Sequence, residues 1–139
     1  MPSPTIAFIC LGNSCRSIMA EALARHYYGS EVAALSAGLN PLGWVAPETL
    51  TVLEELHIST PGLRSKGLGE INLADCQAII NLTAQDVSLP LPPDFAVRVY
   101  HRPVLDPFGL SLAAYRRTRE ALMQLIKREL RLWLGVAAD

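Results

Sequence analysis

The chain of 139 residues is 50% apolar and 18% charged, which suits one ordinary domain with its own core and leaves no room for two. With 13 acidic and 12 basic residues the net charge is −1, so no global field draws nucleic acid or an anionic membrane, and any anion must be bound locally. Three cysteines, an odd number, argue against a secreted disulfide scaffold and for a reducing compartment where a catalytic thiol stays free.

Met1-Pro2-Ser3-Pro4 lacks the positive region of a signal peptide, and Thr5 to Leu11 falls far short of the ~20 apolar residues of a membrane span. A soluble cytoplasmic protein is expected. Thr5 to Ile9 is continuously apolar, the pattern of a strand covered on both faces of a parallel sheet. Ile18, Met19, Ala22, Leu23, His26 and Tyr27 then recur at helical spacing, with Gly29 as the stop. Glu31 to Ala37 reads as a second strand ending at Gly38, and Pro47 opens a helix expected to run to about His57. Ser59 to Leu73 reads as loop with one short helix. Ala78 to Leu82 and Phe95 to Tyr100 are third and fourth strands, separated by the proline-rich Leu89 to Pro93, which cannot join a ladder. Ser111 is placed to cap a long helix with Leu112, Tyr115, Arg119, Leu122, Ile126, Leu130 and Trp133 on one stripe and Gly135 after it. The alternation of strand and helix predicts an α/β fold with a single open parallel sheet sandwiched by helices.

In such sheets ligands bind beyond the carboxyl ends of the strands. The first strand ends on Cys10, and Leu11, Gly12, Asn13, Ser14 and Cys15 lead to Arg16 and Ser17 at a helix N-terminus, where unpaired N–H groups favour an anion. Gly12 lets the backbone turn, Asn13 tolerates a left-handed conformation, and Arg16 offers a planar fork to two oxygens. A tetrahedral oxyanion suits that cup, with Cys10 at its floor. The same positive surroundings favour the thiolate and make Cys10 a nucleophile at neutral pH. The plain alternative is a buried core cysteine and a surface arginine.

Cys10 to Ser17 with Met19-Ala20-Glu21 resembles the signature of the low-molecular-weight protein tyrosine phosphatase superfamily, which includes the thiol-linked arsenate reductases. Ser36-Ala37-Gly38 and Asp106-Pro107-Phe108-Gly109 resemble its other two landmarks, in order and spacing. The resemblance covers essentially all of residues 1–139 and implies a four-stranded parallel sheet in the order 2-1-3-4. It makes Cys10 the nucleophile, Arg16 the oxyanion clamp and Asp106 the general acid; Ser17 is expected to donate to the Cys10 sulfur, and Asn13 and Ser36 to support the loop. The family completes that support with a histidine, or with an aspartate that helps hold potassium. Here the stretch reads Leu63-Arg64-Ser65-Lys66, which implies no metal, and Lys66 or Arg64 is expected to supply a fixed positive charge unless both are solvated loop cations.

Three functions compete at this stage. The first is a phosphatase acting on a phosphorylated protein or small aryl phosphate through a cysteinyl-phosphate, with Trp44 and Phe108 as candidate walls for the ring and no cofactor. The alternative is an arsenate reductase. Thioredoxin-linked reductases resemble the chain through Gly12 to Ser17, but they need two further cysteines after the third strand, and Asn81 to Pro93 contains none. An external thiol such as glutathione, mycothiol or a glutaredoxin-type partner would be required. The third is a catalytically idle phosphate-binding module. Cys15 is a candidate redox partner for Cys10, whereas Cys76 reads as a packing cysteine. Arg116, Arg117, Arg119, Lys127, Arg128 and Arg131 on the last helix read as a solvated face, and the Asn81-Leu82-Thr83 sequon falls on a buried strand.

Overall fold

A computed structural model of the chain describes residues 3–85, 89 and 98–135. One parallel sheet contains β1 (Thr5–Cys10), β2 (Ala33–Gly38), β3 (Ala78–Asn81) and β4 (Arg98–His101), in the order β2-β1-β3-β4 that the resemblance implied. β1 is interior, with Cys10 opposite Gly38 on one side and Ile9 opposite Asn81 on the other. The expected start of β4, residues 95–97, lies outside the described residues, as does most of the proline-rich joint.

The apolar run of β1 is explained by the two cores it serves. Ile6 and Phe8 point into the larger one, where α1 (Arg16–Tyr28), α2 (Pro47–Glu54) and α3 (Leu112–Trp133) meet through Met19, Leu23, Leu53, Leu122 and Ile126. Ala7 and Ile9 point into a smaller one, covered by short 3-10 turns at Leu68–Glu70 and Leu73–Asp75. Trp133 is fully buried and meets Phe8 edge-on at 5.8 Å, a contact that contributes about 0.5–1.5 kcal/mol beyond the area it buries. Ser111 caps α3 as expected, its hydroxyl accepting from the Ala114 amide. Among the described residues no helix is long and apolar enough to cross a membrane.

Four expectations change. β2 begins at Ala33, because the amides of Glu31 and Val32 bond back to the Tyr28 carbonyl and finish α1. α2 ends at Glu54 rather than His57. His57 turns left-handed (φ 59), its amide reaching the Glu54 carbonyl and the Ile58 amide the Leu53 carbonyl, a Schellman ending that tucks Ile58 into the core. The short helix expected between Ser59 and Leu73 is the 3-10 turn Leu68–Glu70, and an unexpected second one, Leu73–Asp75, follows it. His26 and Tyr27 are exposed and meet edge-on at 4.6 Å, since the buried part of α1 is its first nine residues, Arg16 to Ala24, on all sides.

Candidate active site

The segment after β1 is held by its carbonyls. Those of Cys10, Leu11, Gly12 and Ser14 accept the amides of Leu39, Asn40, Leu42 and Ala46, and Thr49 Oγ1 also donates to the Ser14 carbonyl. The amides of Gly12, Asn13, Ser14 and Cys15 donate to no acceptor among the described residues. Carbonyls turned out and N–H groups turned in make a nest for an anion. Two further features fit one: no side chain caps the N-terminus of α1, and the hydroxyl of Ser14 is buried without a partner.

The left-handed residue of the loop is Asn13 (φ 46), as expected; Gly12 is not left-handed. A Cβ at Gly12 would lie 3.1 Å from Leu42 Cγ, a tight approach to an exposed side chain that has room to shift. Gly38 at the end of β2 is tighter still, with a Cβ falling 2.7 Å from the Leu11 carbonyl oxygen and 2.9 Å from the Asn13 nitrogen.

Behind the loop runs a buried polar chain. Ser17 Oγ is 2.8 Å from Cys10 Sγ and accepts from Asn13 Nδ2 at 2.7 Å; the same amide group donates to Ser36 Oγ at 3.0 Å. Ser36 donates to Glu21 Oε1 at 2.6 Å. Lys66 closes the chain twice, its backbone N–H donating to Asn13 Oδ1 at 2.8 Å and its Nζ lying 3.4 Å from Glu21 Oε1. Of the two expected cations, then, Lys66 is inside and Arg64 outside, paired with Glu70 at the surface. Glu21 was visible only as part of the signature. Its partners lie 15 and 45 residues away, and the one local signal is Arg25 four residues on, at 2.8 Å. Removing one partner from a buried pair of this kind costs about 3–5 kcal/mol.

Arg16 stands over the nest with Nη1 donating to the carbonyls of Leu82 at 3.2 Å and Val104 at 3.1 Å, and Nη2 lies 3.5 Å from Asp106 Oδ2. Asp106 also serves its turn, Oδ1 accepting from the Phe108 amide. One carboxylate thus faces the clamp with one oxygen and holds its own turn with the other. Cys10, Cys15, Arg16, Asp106 and Phe108 line a single pocket, together with Asn40 and Leu42, which sequence did not single out. Trp44 lies beside it, half exposed, its ring 5.9 Å from that of Phe108.

Burial pushes the Cys15 thiol up, partly offset by its hydrogen bond to Tyr115, a buried residue of α3 that its helical stripe marked only as core. Burial, with Asp75 adding to it, pushes Cys76 up to about 11; it lies in the smaller core, as a packing cysteine should. The last helix is less uniformly solvated than expected, because Arg119 is buried against Glu55 and the Val52 carbonyl and Arg116 grips Glu55. Among the described residues no group of three or more His, Cys, Asp or Glu side chains could share a metal ion.

A parallel sheet whose first strand delivers a cysteine into an amide-lined loop, with an arginine at the start of the helix that follows, defines a cysteine-dependent enzyme acting on an oxyanion. The chain belongs to the low molecular weight phosphotyrosine protein phosphatase family, whose model matches residues 5–135. It is 34% identical over 126 residues to an arsenate reductase of Bacillus cereus, spanning 89% of this chain and 92% of that one. Among solved structures it resembles an arsenate reductase in the phosphate binding state (TM-score 0.81, 28% identity, 96% of this chain and 99% of that one). It also resembles a low molecular weight protein tyrosine phosphatase from T. tengcongensis (TM-score 0.76, 26% identity, 94% and 99%).

Proposed function

We propose that the chain is an arsenate reductase that draws its electrons from an external thiol. The observation that carries this reading is the similarity, across nine-tenths of the chain, to relatives described as arsenate reductases, several of them a third identical. It reverses the order reached from sequence, where the phosphatase came first. The chemistry begins with arsenate in the amide nest, two oxygens on the Arg16 fork. Cys10 attacks arsenic as the thiolate, Ser17 donating to its sulfur, and an arsenate oxygen leaves as water after taking a proton from Asp106. An external thiolate then attacks the Cys10 sulfur. The S–As electron pair departs with arsenic, which leaves as arsenite, and a mixed disulfide forms; a second thiol frees Cys10. The two electrons come from the two thiols.

The thiols are external because Cys76 sits in the smaller core with its thiol pushed up to about 11, and Asn81 to Pro93 contains no cysteine. A second reading, hydrolysis of aryl phosphates, is favoured by one feature of the pocket rim: the Trp44–Phe108 pair beside Asp106, a wall that arsenate does not use. Arsenate with each of glutathione plus glutaredoxin, mycothiol and thioredoxin, assayed beside an aryl phosphate, separates the two. Arsenite formation with a thiol system, lost in Cys10→Ser, is expected. Aryl phosphate hydrolysis with no arsenite from any thiol would reject the reductase in favour of the phosphatase.

A further inference from the structure

The buried chain behind the loop ends in a charge whose use the reaction above does not explain. Lys66 is 9% exposed, and its Nζ sits in a cage of three oxygens: Glu21 Oε1 at 3.4 Å, Ser36 Oγ at 3.3 Å and the Arg64 carbonyl at 3.2 Å. A long, strongly hydrated side chain is seldom taken out of water unless its charge is paired. We infer that Lys66 is a positioning residue of the oxyanion site: its backbone N–H orients Asn13, and its ammonium is a resident cation that holds Ser36 and Glu21 at the far end of the chain leading to Cys10.

The direction of the protons along the chain follows from counting donors. Asn13 Oδ1 is taken by the Lys66 backbone N–H, so its Nδ2 must face the two serines and donate to both. Ser36 Oγ thus accepts from Asn13 and from the Lys66 ammonium, and its own proton goes to Glu21. Ser17 Oγ accepts from Asn13, which leaves the Ser17 proton for Cys10 Sγ, so the sulfur is the acceptor and the thiolate is the form the chain favours. Without the ammonium, Ser36 loses one of its two donors, and Glu21 keeps the Ser36 hydroxyl but only one charged partner, Arg25, which is half exposed. The cluster of Glu21, Arg25 and Lys66 falls from one net positive charge to none. Arg16, Asp106 and Cys15 around Cys10, Tyr115 and Thr49 acting on Cys15, and Glu48 acting on Tyr115, are unchanged by that loss.

An oxygen cage sized for an ammonium also suits a potassium or ammonium ion, whose water shell such oxygens replace. The inference rests on Cys10 as the reacting thiol, but its test uses no turnover. Wild type, Lys66→Ala and Lys66→Met are compared in sodium, potassium and ammonium salts at equal ionic strength. The backbone donor to Asn13 survives both substitutions. One readout is the pH profile of Cys10 alkylation by iodoacetamide, resolved from Cys15 and Cys76 by mass spectrometry; the other is inorganic phosphate affinity by calorimetry.

Wild type should be indifferent to the salt. In sodium, Lys66→Ala should alkylate about tenfold more slowly at pH 7, the effect of one unit's upward displacement of the profile. Potassium or ammonium should restore part of that loss in Lys66→Ala but not in Lys66→Met, whose side chain fills the cage. A wild-type profile for Lys66→Ala in sodium overturns the inference, as does acceleration of the wild type by potassium. If Lys66→Ala folds only in potassium or ammonium, the cage is a cation site as inferred. If it folds in no salt while Lys66→Met keeps the wild-type profile, the ammonium has no role in positioning. A protein that makes no arsenite yet responds to these substitutions as described loses the reductase assignment and keeps this one.

Discussion

Gly38→Ala probes the loop without touching a reacting group. A Cβ there would meet the Leu11 carbonyl oxygen at 2.7 Å, the Asn13 nitrogen at 2.9 Å and Asn13 Cβ at 3.0 Å. Two of these are backbone atoms of the anion loop and the third begins the side chain that orients Ser17, so no flexible end can yield. To restore ordinary contact at 3.4 Å the loop must retreat by about 0.7 Å, and a misplacement near 1 Å costs about 10²-fold in rate when reacting atoms must be aligned. The expected result is a fall in kcat/KM of roughly 30- to 100-fold on arsenate or aryl phosphate, with weaker phosphate binding. Overpacking should also lower stability by about 1–3 kcal/mol, read from urea unfolding. Gly69→Ala is the control, since a Cβ there meets nothing within 4 Å. Kinetics within twofold of wild type for Gly38→Ala would show that the loop does not lean on β2.

Asp106→Asn should lower aryl phosphatase turnover by about 10² to 10⁴, the usual worth of a general acid and base, with a smaller loss for esters whose leaving groups are already acidic; an unchanged rate for good and poor leaving groups alike excludes the cysteinyl-phosphate route. Mild peroxide should inactivate reversibly through a Cys10–Cys15 disulfide, detectable by mass spectrometry, because both thiols line one pocket; irreversible sulfinic or sulfonic acid on Cys10 alone contradicts it. Hydrogen bonds from Arg116, then Arg119, push the Glu55 carboxyl from its ordinary 4.5 down to about 2. Its folded value lies below the unfolded one, so its stabilisation is complete above pH 4.5 and disappears as the pH falls toward 2. Glu55→Gln should therefore flatten the fall of Tm with pH in that window, and an unaltered slope would exclude the linkage.

What could be read from the sequence was what lies close together in it. Cys10, the loop and Arg16 occupy seven consecutive residues between an apolar strand and a helix, so strand end, nest and clamp follow from local pattern alone. Asp106 entered only by resemblance, because nothing near it in sequence marks a residue that will meet Arg16 across the sheet. Tyr115 was read as a core residue of its helix stripe; that its hydroxyl meets Cys15, 100 residues away, is a fact of packing. Arg64 and Lys66 looked equivalent, two cations two residues apart, and only the bridge from Gly38 to Gly67 along the edge of β2 decides which one turns inward. His57 stopped α2 where a glycine would ordinarily announce the stop. The choice between reductase and phosphatase was out of reach for a different reason. It depends on what attacks the Cys10 adduct, and that reagent comes from outside the chain.

Arg16 takes its resting hydrogen bonds from two main-chain carbonyls, those of Leu82 and Val104, besides facing Asp106. A peptide oxygen is present whatever side chain the residue carries. The clamp is therefore inherited through a single codon, while positions 82 and 104 answer only to packing, strictly at Leu82, which is wholly buried, and loosely at Val104, which is not. The crossings after the third and fourth strands can drift in sequence, and with them the walls presented to an incoming thiol or ring, without releasing the guanidinium. A site built this way can change its clientele while keeping its grip on the oxyanion.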